Sequence, residues 1–597
     1  MGNIFPRGKG SWSAPGHCRL MRAACLVFLL VFSAGCRGSP DKTVGTARAA
    51  DAGIAQAPER QSLSTQGVNQ LHAIEDAAEL SGLRWPNFAD DQTEVKEFYD
   101  SYGNSLPWIR GSTPTSQART LIQILKSAET KGLRAEDYDG PRWNERLAIF
   151  DASAPPQEAQ MIRFDVALTV SAMRYISDLH MGRVNPRLFH SGLDINRQKF
   201  DLSEFLRLKV VNARDLPAVM ATVEPPFPAY HRAVKALNEY IALARRENEE
   251  PLPRPAKTIK PGNPYAGVPQ LAKRLQLLGD LPGQDNAVAN ATTYAGNLVS
   301  GVKHFQIRHG LDPTGQIDTP TFRQLNTPLS RRVVQLQLTL ERWRWLPHQF
   351  DRPPIIVNIP EFRLHANNDS FQWAFSTKVV VGKSYRHKTP VLASQLKYVI
   401  FRPYWNVPLS IQRQELLPDI EKDPAYLAKH SYEIVDRSGQ VVSDGEVTEQ
   451  MEEQLQSGDL AIRQRPGPEN SLGLVKFVFP NPYDVFMHDT PARQLFSRSR
   501  RDFSHGCIRV ENPAGLAAWV LRDQPEWTPE NIRAAMDGEE TMRVLLPHPI
   551  PVLILYSTAV VEENGEVHFY SDIYRQDAAL EQALTGKYPE GDGPAQK

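Results

Sequence analysis

The sequence predicts a multidomain α+β protein in which a helical scaffold and a small three-helix module precede a mostly β domain with a capping insertion. Its 597 residues suggest about three or four domains of roughly 100–200 residues each. Apolar residues recur at helical spacing up to Pro347, and short β-rich runs separated by Gly, Pro and Asn follow it. Lysine and arginine balance aspartate and glutamate at 68 each, which argues against a nucleic-acid partner, because binding phosphates needs an accumulated positive charge.

The N-terminus has the features of a signal peptide, which we assign to residues 1–35. The apolar run Ala23–Phe32 is too short to span a membrane, and small residues then lead into Cys36. The stretch Ser33-Ala34-Gly35-Cys36 resembles a bacterial lipobox, so Cys36 is the candidate for lipidation. The lipid would anchor the protein to a membrane in the periplasm or cell envelope. Soluble export after cleavage near Ala34 is the alternative. Residues 36–66 hold few large apolar groups and are predicted to be a flexible tether.

Two helical regions follow the tether. Residues 67–250 are predicted to be a helical scaffold without chemistry, because apolar residues recur along one helical face at Phe164, Leu168, Ala172, Tyr175 and Leu179. Residues 251–330 combine a proline-rich linker with a compact unit in which three short helices fit. In that unit Leu271 and Leu275 share a helical face, and Asp312-Pro313-Thr314-Gly315 indicates a turn.

Residues 331–547 are predicted to be the mostly β domain, opening with a helix. A charged segment at about 415–459 interrupts its strands, and an insertion of this kind is commonly a lid. Residues 548–597 are predicted to be a C-terminal extension. We expect its strands Val552–Tyr556 and Val567–Tyr570 to form a β-hairpin around an Asn-Gly turn.

Cysteine usage points to Cys507. The cysteines are Cys18, Cys25, Cys36 and Cys507, so the body of the protein holds no disulfide framework. A catalytic cysteine attacks as a thiolate and needs a base and positive surroundings, and His488, His505 and Arg509 are close to it in sequence. Gly506 leaves room for a substrate carbonyl. It also lets the backbone N–H groups of His505, Gly506 and Cys507 converge on an oxyanion.

Other interpretations of these residues stay open at this point. A zinc site could use His488, His505 and Cys507, although no residue at suitable spacing supplies a fourth ligand. Cys507 could be a structural cysteine beside buried histidines, and a sortase-like thiol enzyme would also combine Cys, His and Arg. The sequence has no phosphate-binding glycine-rich loop and no zinc-protease motif, so no metal or other cofactor is predicted.

The segment Ser504-His505-Gly506-Cys507-Ile508-Arg509, with His488 before it, resembles the active-site signature of the L,D-transpeptidases, the YkuD-type cysteine enzymes of bacterial cell walls. Further segments resemble the large Gram-negative YcbB type: Leu340–Pro347, Val357–Pro360, Val380–Lys383, Thr389-Pro390, Pro403–Pro408 and Arg465–Pro468. Within residues 251–330, Val302–Gln306 and Gly310–Gly315 resemble a peptidoglycan-binding domain. The resemblance therefore implies a helical scaffold, a peptidoglycan-binding module and a YkuD-like catalytic domain with a capping subdomain.

The resemblance also implies a reaction. Cys507 attacks the diaminopimelate carbonyl of a donor tetrapeptide stem, releases D-alanine and forms a thioester, which the amine of an acceptor stem converts to a 3→3 cross-link. His488 acts as general base, oriented by a backbone carbonyl at Asp489. The implied partners are the two peptidoglycan stems, the membrane through the lipid anchor, and cell-wall synthesis proteins.

The remaining site residues are candidates for binding substrate or bracing the loop. Arg509 could pair with a stem carboxylate or hold the loop, and Ser504 is placed in the same group. Trp405 is placed at the cleft by the resemblance alone. Phe486 departs from a tyrosine of the family, which removes a hydroxyl from the pocket.

Two alternative functions follow from the same residues. Water could resolve the thioester, which would make an L,D-carboxypeptidase, or a lipoprotein amine could resolve it. Acceptor choice depends on cleft shape and water exclusion, which the sequence does not specify. The third hypothesis is a non-catalytic peptidoglycan-binding envelope protein whose thiol is idle.

Overall fold

The computed structural model describes residues 60–189, 193, 200–246, 250–282, 291–385 and 387–586. The predicted signal peptide, Cys36 and nearly all of the predicted tether therefore lie outside the described residues. Among the residues that are described, no helix is both long and apolar enough to cross a membrane.

The scaffold region is mainly helical. Its helices are α1 (Thr65–Ala77), α2 (Gln92–Asp100), α3 (Ser116–Lys126), α4 (Trp143–Ala148), α5 (Glu158–Met181), α6 (Leu202–Phe205), α7 (Leu216–Ala221) and α8 (Pro228–Arg245). Helix α5 is buried on nearly every side and forms the centre of the scaffold core. The apolar face predicted from the sequence lies within it and is buried.

The scaffold differs from the prediction because it also contains a small antiparallel sheet. Its strands are β1 (Arg60–Gln61), β2 (Leu106–Arg110) and β3 (Thr113–Pro114). Strand β2 contains Pro107, which disfavours a helix, beside Trp108 and Ile109, which favour strands. The backbone N–H of Trp108 donates to the buried carboxylate of Asp165 at 2.9 Å, which holds the strand against α5.

The three predicted short helices are present as α9 (Val268–Leu277), α10 (Asn297–Arg308) and α11 (Thr319–Leu325). They enclose an apolar core of Leu271, Leu275, Leu298, Val302 and Phe305. The buried Gln306 side chain fixes the turn after α10: its amide donates to the Gln316 carbonyl at 2.9 Å and its carbonyl accepts from the Gly315 N–H at 2.8 Å.

Helix α12 (Leu329–Arg344) joins the domains. The sequence placed this helix in the β domain, but its two sides pack on different cores. Leu336 and Leu340 pack with α8 of the scaffold, whereas Leu338 packs in the core of the β domain. The Arg342 guanidinium pairs with Asp577 near the C-terminus at 2.6 Å.

Strands and helices then alternate to the C-terminus. The strands are β4 (Ile355–Asn358), β5 (Arg363–Asn367), β6 (Trp373–Gly382), β7 (Leu392–Phe401), β8 (Trp405–Asn406), β9 (Tyr432–Val435), β10 (Val441–Ser443), β11 (Ala461–Gln464), β12 (Val475–Val478), β13 (Met487–His488), β14 (Asp502–Ser504), β15 (Ile508–Val510), β16 (Met542–Leu555), β17 (Ala559–Val561) and β18 (Val567–Phe569). The helices are α13 (Leu409–Ile411), α14 (Leu417–Lys422), α15 (Tyr426–Lys429), α16 (Glu449–Ser457), α17 (Pro513–Val520), α18 (Pro529–Asp537) and α19 (Gln576–Thr585).

In the described part of the chain, nine strands form the catalytic sheet in the order β14-β6-β15-β13-β12-β7-β16-β4-β5. Strand β5 also pairs with β6, so the sheet closes on itself. Apolar side chains such as Val357, Val399 and Ile508 fill its interior.

The predicted end of the β domain at residue 547 is wrong, because β16 runs through it. Val552–Leu555 pairs parallel with β4 and antiparallel with β7 inside the catalytic sheet. A continuous apolar run is typical of such a buried central strand. The C-terminal hairpin is instead formed by β17 and β18, and α19 follows it.

The insertion is larger than the predicted 415–459. Strands β8 and β11 pair with each other, and β9 and β10 extend the same sheet. We define this subdomain, residues 405–464, as the cap. It has its own apolar core, which includes Leu417, Leu427 and Ile434. The buried Gln412 amide joins its ends, donating to the Leu455 carbonyl at 2.7 Å while its oxygen accepts from the Ile462 N–H at 2.8 Å.

Candidate active site

Strand pairing brings the predicted nucleophile and base to one face of the catalytic sheet. His488 of β13 lies opposite Lys476 of β12 and opposite Arg509 of β15. Because side chains alternate along a strand, Phe486 and Cys507 point to the same face. The intervening side chains point into the apolar core: Val475, Phe477, Met487, Ile508 and Val510.

The segment 504–507, which we call the catalytic loop, is fixed by its own hydrogen bonds. Gly506 has φ +119°, a conformation that side chains disfavour, so glycine is required here. The buried Ser504 hydroxyl donates to the Cys507 carbonyl at 2.5 Å and accepts from the Gly506 N–H at 3.2 Å. Ser504 therefore braces the loop, one of the two roles considered for it.

Distant residues brace the same loop. The Thr389 hydroxyl donates to the Gly506 carbonyl at 2.7 Å and accepts from the Gly382 N–H at 2.8 Å. The Tyr574 hydroxyl donates to the Gly382 carbonyl at 2.6 Å and accepts from the Thr389 N–H at 3.2 Å. The C-terminal segment thus positions the loop, a role that the sequence analysis missed.

His488 is buried and held as a neutral imidazole. Its Nδ1 lies 2.5 Å from the Asp489 carbonyl oxygen, so we place the ring proton there, which leaves Nε2 as the proton acceptor. Burial, reinforced by the nearby Arg509 guanidinium, lowers the pKa of His488 to about 3. The predicted carbonyl partner of His488 is present.

The Asp489 carboxylate has a separate, structural role. Its Oδ2 accepts from the Leu474 N–H at 2.9 Å, and its Oδ1 accepts from the Arg493 guanidinium at 3.2 Å. The carboxylate also lies where a Cβ at Gly473 would be, 2.4 Å away. It therefore fixes the backbone before β12 and is not a partner of the His488 ring.

Cys507 is a half-buried free thiol. Its Sγ donates to the Asp484 carbonyl at 3.8 Å, and no hydrogen bond joins it to His488 in the described structure. Burial raises the pKa of the Cys507 thiol, against the opposing effects of the Phe486 backbone amide, Lys476 and Arg509. The sequence predicted surroundings that lower this pKa, but the cost of desolvating the thiolate is larger. The resting pair is therefore a thiol and a neutral imidazole.

The predicted oxyanion amides are not equivalent. The Gly506 N–H is directed to the Ser504 hydroxyl, which corrects its assignment as a free donor. The N–H groups of His505 and Cys507 make no hydrogen bond to any residue that the structure describes. These two amides are the available donors for an oxyanion.

Two cations, Arg509 and Lys476, face the site, and neither forms an ion pair with an acid in the described part of the chain. The Arg509 Nε is buried and unpaired, and its side chain makes no hydrogen bond within the described residues, so bracing of the loop is not observed. Lys476 carries an ammonium 3.7 Å from the centroid of the Phe486 ring. Lys476 was not predicted from the sequence. Its signal was a lysine set between the apolar residues Val475 and Phe477 in a strand.

Trp405 lies in the cap. Its ring packs on the core of the cap, 6.3 Å from the Tyr432 ring, and no described contact joins it to Cys507 or His488. The ring is only partly buried there, and its predicted position at the cleft stays a prediction. Phe486 lies in the site, 5.6 Å from the His488 ring.

The cap meets the catalytic loop where Glu415 contacts His505. Glu415 Oε1 lies 2.6 Å from His505 Nε2, and the His387 ring lies 4.9 Å from the His505 ring. A cavity of about 650 Å³ opens beside the loop, lined in part by Lys388, Tyr483, Val485, His505 and Gly506. Among the described residues no group of three His, Cys, Asp or Glu side chains is arranged to hold a metal, so the zinc interpretation finds no support in the geometry.

Three ranges of the chain match models of known protein families. Residues 352–538 match the model of the L,D-transpeptidase catalytic domain, the YkuD family. Residues 265–325 match a model described as "Putative peptidoglycan binding domain", and residues 93–237 match a Scaffold domain model.

A curated relative points to the same family. Over 262 residues the chain is 32% identical to a Haemophilus influenzae protein named "Putative L,D-transpeptidase". The match covers 44% of this chain and 50% of that protein, so the chain spans about half the length of this relative. The chain therefore carries a catalytic domain of the L,D-transpeptidase family, together with a scaffold domain and a peptidoglycan-binding domain.

Proposed function

We propose that this protein is a peptidoglycan L,D-transpeptidase that forms 3→3 cross-links between diaminopimelate residues through a thioester on Cys507. The observation that carries the proposal is the pairing of strands β13 and β15. It sets the half-buried Cys507 thiol beside the buried, neutral His488 within an L,D-transpeptidase catalytic domain. The peptidoglycan-binding domain supports peptidoglycan as the substrate.

The first acyl transfer begins with His488. Its Nε2 accepts the thiol proton, and the Cys507 sulfur attacks the diaminopimelate carbonyl carbon of the donor stem. The amides of Cys507 and His505 stabilise the oxyanion that forms. The carbon–nitrogen bond to the terminal D-alanine then breaks. The imidazolium protonates the leaving amine, and burial near Arg509 makes that cation a strong acid.

The second transfer reverses these roles. The side-chain amine of an acceptor diaminopimelate attacks the thioester carbonyl and gives its proton to His488. The carbon–sulfur bond breaks as the carbon–nitrogen bond of the cross-link forms, and the imidazolium returns its proton to the Cys507 sulfur. The enzyme is left unchanged, with one D-alanine released for each cross-link.

Arg509 is assigned to the donor stem. Its guanidinium faces the site and its buried Nε has no partner among the described residues. A stem carboxylate would supply that partner, because guanidinium and carboxylate form paired hydrogen bonds. The exported, lipid-anchored state through Cys36 belongs to the same proposal, since peptidoglycan lies outside the cytoplasm.

The test uses the purified full chain and diaminopimelate-containing disaccharide tetrapeptide, with products identified by mass spectrometry. We expect a cross-linked dimer that lacks one D-alanine, formed by the wild type and absent with Cys507→Ala. Disaccharide tripeptide without dimer would instead identify a carboxypeptidase. Binding to isolated peptidoglycan without any product would support the envelope-protein hypothesis.

A further inference from the structure

We propose that Lys476 is a positioning residue that stabilises the Cys507 thiolate when His488 removes the thiol proton. The inference rests on the proposed function, because it concerns the same nucleophile. It goes beyond the signature segment, since Lys476 lies on β12, well outside residues 504–509.

The strand geometry aims Lys476 at the site. Its neighbours Val475 and Phe477 are fully buried in the core, so the lysine between them points to the opposite face. That face carries His488, which lies directly opposite Lys476 across the pair of strands. Strand β15 pairs with β13 on its other side, and Cys507, which directly precedes β15, lies on the same face.

Contact with Phe486 holds the ammonium in place. The Lys476 Nζ lies 3.7 Å from the centroid of the Phe486 ring, which is the distance of a close cation–π contact. Phe486 lies beside Cys507 in the strand register, because the Ile508 N–H donates to the Phe486 carbonyl at 3.0 Å. The ring therefore keeps the charge near the sulfur.

Asp484 favours the charged form of Lys476 through its charge alone. The Lys476 ammonium forms no hydrogen bond or ion pair with any residue that the structure describes. Two other lysines near the loop have hydrogen-bond partners: Lys378 donates to the Phe496 carbonyl at 3.2 Å, and Lys388 donates to the Tyr574 carbonyl at 3.1 Å. Removing an unpaired cation from water is costly, and an anion formed nearby would offset that cost. The Cys507 thiolate is such an anion.

The two cations near the sulfur both favour the thiolate. Burial lowers the pKa of Lys476, whereas Cys507 opposes this change, so a thiolate and the ammonium stabilise each other. Arg509 adds a second cation, and Asp484 is the acid that opposes them. From the surrounding loops and the cap, the titratable groups are His387, His505 and Glu415, of which Glu415 pairs with His505.

The same cations act on His488 in the opposite sense. Arg509 and Lys476 both disfavour the imidazolium. The proton taken from the thiol is therefore held weakly and passes readily to the leaving amine. Lys476 thus favours the thiolate and the protonation of the D-alanine amine, while it weakens His488 as the base that removes the thiol proton.

The experiment measures the rate of Cys507 alkylation by iodoacetamide against pH, followed on the Cys507 peptide by mass spectrometry with no substrate present. Lys476→Met is compared with the wild type, with Lys476→Arg and with Lys397→Met. Lys397 is an exposed lysine of the neighbouring strand β7 and serves as the matched control. We expect Lys476→Met to raise the apparent pKa of Cys507 by about one unit, which slows alkylation at neutral pH by roughly threefold to tenfold.

Lys476→Arg and Lys397→Met should keep the wild-type profile. An unchanged pKa in Lys476→Met, with only KM for the tetrapeptide raised, would overturn the inference and make Lys476 a substrate-binding residue. Should Lys476→Met fail to fold by circular dichroism, Lys476→Gln is measured in its place, with the same expectation. Failure of the wild-type Cys507 to react at any pH would contradict the proposed function itself, which distinguishes the two outcomes.

Discussion

The catalytic loop and the cap meet at the Glu415–His505 pair, yet they are held in different ways. The loop is fixed by buried hydrogen bonds from Ser504, Thr389 and Tyr574. The cap is an insertion with its own apolar core, and Glu415, half-exposed, pairs with His505 of the loop. The groups proposed to react therefore lie on a part braced by buried hydrogen bonds, whereas the cap, the predicted lid, has an independent core.

The largest effect is expected from a change in the backbone of the catalytic loop. Gly506→Ala places a side chain at φ +119°, so the loop must shift and the sulfur moves with it. A displacement of about 1 Å costs about a hundredfold in rate. We expect kcat for cross-linking to fall by that amount. Gly467→Ala is the control, because open space surrounds Gly467 and its φ is not positive; an equal loss there would contradict the account.

The buried base predicts a pH effect on stability. The pKa of His488 is lowered to about 3 in the fold, so between about pH 6.5 and pH 3 the unfolded chain binds the extra proton. The stability that the neutral ring contributes is present above pH 6.5 and is lost as the pH falls through this window, by up to about 4 kcal/mol. Urea unfolding at several pH values should show a smaller loss in His488→Gln.

The matched control for that measurement is His430→Gln in the cap, since His430 is exposed. It should leave the pH dependence of the free energy of unfolding close to that of the wild type. If both substitutions reduced the pH dependence of the free energy of unfolding equally, the burial of His488 would not be its cause.

A smaller change removes one brace of the loop. Thr389→Val deletes the hydroxyl that joins the Gly382 N–H to the Gly506 carbonyl, so buried polar groups lose their partners. We expect a loss of about 2 kcal/mol in the free energy of unfolding, with a fall in kcat smaller than for Gly506→Ala. Thr389→Ser retains the hydroxyl. It should recover most of the stability, measured by thermal unfolding, and most of kcat, measured by product formation.

The smallest effect is expected at the contact between loop and cap. Glu415→Gln weakens the half-exposed contact with His505, which contributes about 0.5 kcal/mol. Amide hydrogen exchange in the cap should become about twofold faster while exchange in the catalytic sheet is unchanged. Glu453→Gln, at an exposed acid of α16, provides the control. Faster exchange in the sheet as well would contradict the separation of the two parts.

Local patterns predicted part of this structure well. The three helices of the peptidoglycan-binding domain followed from apolar spacing and turn residues. Cys507 and His488 were singled out because their chemistry is concentrated in short segments, and their catalytic roles stay a prediction. The matched domain models support the fold class. Lipidation of Cys36 stays a prediction.

Features that depend on distant contacts were missed. Thr389 reaches Gly506 across 117 residues of sequence, and Tyr574 reaches Thr389 across 185. Lys476 was overlooked because only strand pairing brings it beside His488. The run Val552–Leu555 looks like a hairpin strand in isolation, and its place between β4 and β7 depends on partners elsewhere in the chain.

The central claim is that Cys507 carries the acyl group. The direct measurement incubates the full chain with disaccharide tetrapeptide, quenches the reaction with acid and maps the modified peptides by mass spectrometry. The account predicts a Cys507 peptide heavier by the disaccharide tripeptide acyl group, with D-alanine released. Processing of the stem with Cys507 unmodified, or an equal adduct in Cys507→Ala, would contradict it.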